Sequence, residues 1–96
     1  MKGSEKQIRW ANDLTDRVCG VLSKACEQVK SNPNEVAMYN HLIEAIKGAE
    51  LASDVIEMFK DYNVTGDLKK DFNALIHVYN FYGKIGTESQ RKALGR

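Results

Sequence analysis

The sequence has four Cys and His side chains that could serve as metal ligands: Cys19, Cys26, His41 and His77. A zinc site would need several of them around one ion, with each sulfur at about 2.3 Å. Cys19 and Cys26 fall within one helical pattern, two turns apart, which separates them by about 10.5 Å along the axis. One ion cannot reach both sulfurs, and the same separation excludes a disulfide between them. The chain has no Cys-x-x-Cys, no His-Glu-x-x-His and no Glu-x-x-His. The thiols are expected to be buried or half-buried, and neither a metal nor a cofactor is expected. For acid–base work, His41 and Glu44 share a helix face and could hydrogen-bond. His77 stands in a polar line with Asn73 and Asn80. With no Gly-x-Ser-x-Gly and no phosphate-cradling glycine loop, no enzymatic role is expected.

The aromatic residues suggest a different chemistry. Seven of the eight, all but Tyr39, are Trp10, Phe59, Tyr62, Phe72, Tyr79, Phe81 and Tyr82. A few small helices do not need all of them inside. Phe59, Phe72 and Tyr79 suit a core. Trp10, Tyr62, Phe81 and Tyr82, with Lys84 beside the last two, are the expected partner-binding residues, because aromatic side chains left at a surface are typical interface anchors. Another protein or a second copy of this chain, giving a homodimer, would cover the same surplus.

Helical periodicity positions these residues almost end to end, and no strict alternation suggests a strand. Ser4 and Gln7 have capping-box spacing. From there Ile8, Ala11, Leu14, Val18, Leu22 and Ala25 share one face, which predicts a helix over 5–30. Ser31-Asn32-Pro33-Asn34 ends it, with Asn32 as N-cap and Pro33 at the first position of the next helix. So short a link folds the second helix back on the first.

Met38, Leu42, Ala45, Ala49, Ala52, Ile56 and Phe59 then repeat at spacings of four and three without a phase shift at Gly48. That pattern predicts one helix over 33–62. Continuous, it would be about 45 Å long, against roughly 30 Å for a compact globule of this size. The helix must therefore bend, overhang or break, and Ser53 and Asp54 are the expected caps of a break. Ala45, Gly48, Ala49 and Ala52 would admit another helix closely at this point.

Asn63 to Asp67 reads as a turn, followed by a third helix that is apolar on most of its circumference. Leu68, Phe72, Leu75, Ile76, Tyr79 and Tyr82 make its main face, and Ala74, Val78, Phe81 and Ile85 make a second. Gly83 is the expected stop. Thr87 and Gln90 repeat the capping-box spacing and start a short last helix that Gly95 ends.

Length and composition agree with a single domain over 1–96. The chain is 43% apolar and 28% charged with net charge +1, which suits one core and excludes disorder. Nothing at the N-terminus resembles a secretory signal, and no apolar run reaches the ~18 residues of a membrane span. A cytoplasmic protein with no membrane contact is therefore expected.

Charge is uneven: +2 over residues 1–31, −4 over 35–71 and +3 over 72–96. Residues 58–72 have the apolar spacing of a helix-turn-helix, with Asn63 suited to a left-handed turn. Phe59 and Lys69 depart from that pattern, and Asp67 and Asp71 at the start of the would-be recognition helix would repel phosphate. A small nucleic-acid-binding regulator using 58–72 and the tail cations Lys84, Arg91, Lys92 and Arg96 is the alternative reading.

Ser4-Glu5-Lys6-Gln7-Ile8-Arg9-Trp10-Ala11, about a tenth of the chain, resembles the opening phrase of small helical proteins encoded by phages and mobile elements. The resemblance carries no functional residues. It implies a phage-type accessory protein that blocks a bacterial defence enzyme, as anti-CRISPR proteins do. Taken together, the residues predict an all-α fold. A long antiparallel helical hairpin carries a third helix packed across it and a short C-terminal helix. The function expected is non-catalytic binding through protein–protein contact.

Overall fold

A computed structural model describes residues 1–96. It contains five helices and no strand: α1 (Glu5–Gln28), α2 (Pro33–Lys47), α3 (Ala52–Phe59), α4 (Leu68–Ile85) and α5 (Glu88–Ala93). The capping box at the start of α1 is complete. Ser4 Oγ accepts from the Gln7 N–H at 3.1 Å, and Gln7 Oε1 accepts from the Ser4 N–H at 3.0 Å. Four residues, 29–32, turn the chain back so that α1 and α2 form the antiparallel hairpin. Asn32 Oδ1 caps α2 by accepting from the Glu35 N–H at 3.3 Å.

The predicted helix over 33–62 is two helices. It breaks at Gly48–Leu51, not at Ser53 or Asp54, and the N-cap of α3 is Leu51, whose side chain caps nothing. The cause lies at the other end of the chain. Lys2 pairs with Leu51 in an isolated parallel bridge: the Lys2 N–H donates to Glu50 O at 2.6 Å, and the Ala52 N–H donates to Lys2 O at 2.8 Å. A backbone carbonyl thus takes an orphan donor of α3 that a Ser or Asp side chain would ordinarily take. The break keeps both halves of the seam against α1 in a body measuring 40 × 26 × 20 Å.

The small residues admit close neighbours, though these are the chain termini and α5 rather than a long crossing helix. Gly3, at φ +152°, leaves room for no more than its own hydrogen beside Ala52 and Gln7, and Gly95 (φ +75°) sits against His41 and Ala45.

α4 lies against α1 and runs two residues past the expected stop at Gly83, to Ile85, with Gly86 as its cap. The α5 capping box of Thr87 and Gln90 is formed as the spacing predicted. α5 is tied to α3 by two polar contacts. The Ser89 hydroxyl donates to the buried carboxylate of Asp54, and Gln90 Nε2 donates to Glu57 Oε2 at 3.0 Å. One core joins every element, with Leu22, Ile46, Phe59, Leu75 and Leu94 all essentially sealed from solvent. No helix is long and apolar enough to cross a membrane.

Candidate protein-binding surface

The side chains that could have done chemistry are dispersed. Cys19 lies in the core, where burial pushes its thiol pKa up, and Cys26 approaches Asn40 Oδ1 at 3.8 Å. His41 does not pair with Glu44. Its Nε2 meets Gly95 O at 3.1 Å and holds the C-terminal turn. His77 is exposed on α4. No three His, Cys, Asp or Glu side chains gather in a group that would hold a metal ion.

The link between α3 and α4 differs from a helix-turn-helix. It is eight residues long, 60–67, where that motif uses three or four. Asn63 is not left-handed; the positive φ belongs to Gly66, at +92°. The link is organised around Asp71. Its carboxylate accepts from the Thr65 N–H at 2.9 Å, the Thr65 hydroxyl at 2.7 Å and the Gly66 N–H at 3.1 Å. These bonds, led by the Thr65 N–H, hold the Asp71 pKa below the usual carboxylate range.

Tyr62, expected at the surface, is instead 5% exposed. Its hydroxyl donates to Asp71 O at 2.6 Å, and burial, helped by the Asp71 charge, pushes its pKa up to about 12. Tyr62 is therefore a structural pivot and is unavailable to a partner.

A pH prediction follows from Asp71. Because its folded pKa is depressed, its stabilisation is fully present above the unfolded value of about 4 and is lost as pH falls through the folded value. Urea titrations at pH 7 and at about pH 3 should show the native chain losing stability in acid. Asp71→Asn should lose less over the same interval. Equal losses would remove Asp71 from the account.

Three of the four tail cations of the nucleic-acid reading are occupied within the chain. Lys92 pairs with Glu50 at 3.3 Å, Arg91 donates to Gly86 O, and the Arg96 guanidinium lies 4.7 Å from the ring centre of Tyr79. Lys84, also exposed, has neither an ion pair nor a cation–π contact.

The structure gathers Phe81, Tyr82 and Lys84 on the C-terminal half of α4. Phe81 is 54% exposed, and Ile85, four residues on, is 65% exposed. Tyr82 is half-buried: its ring meets Phe81 edge-on at 5.1 Å, and its hydroxyl donates to Glu57 O at 3.2 Å. Burial raises the Tyr82 pKa, and the charges of Glu57 and Asp61 add to the shift. Trp10, 48% exposed, lies at the other end of the set on α1, over a shallow hollow lined by Ser4, Lys6 and Gln7.

Sequence reasoning left Ile85 and Met38 out of the set. Ile85 was legible in the second apolar face of α4. Met38, 61% exposed, was hidden as the first member of a seam that is otherwise largely buried. Set against protein-family models, curated proteins and solved structures, the chain matches none.

Proposed function

We propose that this chain is a non-catalytic binding protein that acts by covering a surface of another protein, with Phe81, Tyr82, Lys84 and Ile85 as its main contact and Trp10 as a second anchor. One observation carries the reading: the core closes around Phe59, Leu22 and Leu75 while Phe81 and Ile85 remain more than half exposed. Their exposure contributes nothing to folding and costs solubility, so a partner that buries them supplies the missing stabilisation. The phage-type phrase at 4–11 points to a bacterial defence enzyme as the class of target, by analogy with anti-CRISPR proteins.

The test is affinity capture from bacterial lysate with the tagged native chain and with Phe81→Ala/Ile85→Ala. A specific protein retained by the native chain should fall by about tenfold or more with the double variant, at unchanged helix content by circular dichroism. Retention of nothing beyond the resin background, or equal retention by both, would overturn the reading.

A further inference from the structure

On α4, successive residues are turned by 100°, so the outer surface can be read across its width. Lys84 and His77 lie on one flank. Phe81 and Ala74 come next, then Ile85 and Val78, and then Tyr82 on the other flank. Tyr82 reaches Glu57 O, and both Glu57 and Asp61 act on its hydroxyl as exposed negative charges. Between Asp71 and Glu88 the sequence has no acid, so the Lys84 flank is free of counter-charge on its own helix. The apolar stripe Val78, Phe81, Ile85 therefore has a cation along one edge and carboxylates beyond the other.

That arrangement is complementary to itself in one orientation. A two-fold axis parallel to α4 sets two copies of the stripe face to face. Each Lys84 is then brought to the edge that carries Glu57 and Asp61 of the second copy. The axis perpendicular to the helix would instead set Lys84 against Lys84. Spacings of four and three along Ala74, Val78, Phe81 and Ile85 are those of a coiled-coil seam.

We propose that the outer face of α4 is a homodimer interface in which two copies pack in parallel, Phe81 and Ile85 at the centre and Lys84 paired with Asp61 of the second copy at each edge. A seam of three turns is short, so the interface belongs to the small, reversible class, with dissociation on the order of 10–100 µM. The inference concerns the chain alone and stands apart from any foreign partner. Dimer formation would nonetheless compete with capture of a target through the same face.

Sedimentation equilibrium of the purified full chain, from about 1 µM to 1 mM, tests it. The weight-average mass should climb from 10.8 kDa towards twice that value. Phe81→Glu, at an exposed site, should weaken association by about tenfold or more with helix content intact. Lys84→Glu should weaken it by about three- to tenfold, and adding Asp61→Lys should restore most of that loss. A native chain of monomer mass throughout overturns the proposal, as does a dimer indifferent to Phe81→Glu. Failure of the double charge swap to restore association overturns the parallel arrangement. All three readouts use the isolated chain, so none depends on the lysate result.

Discussion

Phe59→Ala is expected to lower the free energy of unfolding by about 3–5 kcal/mol, much of the roughly 5–15 kcal/mol available to a domain of this size. Phe59 is fully buried at the end of α3, and its ring meets Tyr62 edge-on at 6.4 Å. An eight-residue helix has no independent stability, so α3 stays in place through this anchor, the Lys2 bridge and the polar contacts to α5. Guanidinium titration measures the loss, and Phe81→Ala is its control. The chemical change is the same, but Phe81 lies on the surface, and its truncation should cost within about 0.5 kcal/mol. If Phe81→Ala proved as damaging as Phe59→Ala, Phe81 would belong to the fold and the candidate surface would lose its central residue.

This contrast also marks where sequence was informative. Both capping boxes were legible because their partners lie three residues apart: Ser4 with Gln7, Thr87 with Gln90. The Asn32-Pro33 link was legible for the same reason. The break between α2 and α3 was not, because what sustains it is backbone pairing with Lys2, which no side-chain pattern displays. The heptad seam continued through the break for a physical reason. Both α2 and α3 pack on α1, so the periodicity reports which residues face α1 and is silent about whether the backbone between them is helical. Tyr62 was misplaced on similar grounds: the acceptor that satisfies its buried hydroxyl is a main-chain carbonyl, that of Asp71. The exposed face of α4 was legible as a second apolar line. The flank of Glu57 and Asp61 beside it was not, because it is contributed by the end of α3 and the link beyond it.

Gly86→Ala should cost about 2–3 kcal/mol, with the melting temperature falling by about 10–20 °C. The demand is for space, since φ −65° and ψ 161° suit any residue. A Cβ at Gly86 would overlap the Tyr82 carbonyl oxygen, the atom that accepts the Gly86 N–H at 2.9 Å, and would press on Gln90 Oε1 at 3.2 Å. Backbone on one side and a capping-box side chain on the other leave little room to yield. Relief requires α5 to move, which pulls Ser89 from Asp54 and Gln90 from Glu57. Gly83, expected from its residue type to end α4, should behave oppositely. It lies inside the helix, and the atoms nearest to an added Cβ are those of the Arg96 guanidinium, the movable end of a long side chain. Gly83→Ala gains about 0.5–1 kcal/mol in helix propensity and gives up a comparable cation–π contact between Arg96 and Tyr79, so its melting temperature should stay within a few degrees of the native chain. Thermal unfolding of the two variants side by side decides the matter. A costly Gly83→Ala beside a silent Gly86→Ala would mean that α4 ends a turn earlier and that α5 is held by something other than this close approach.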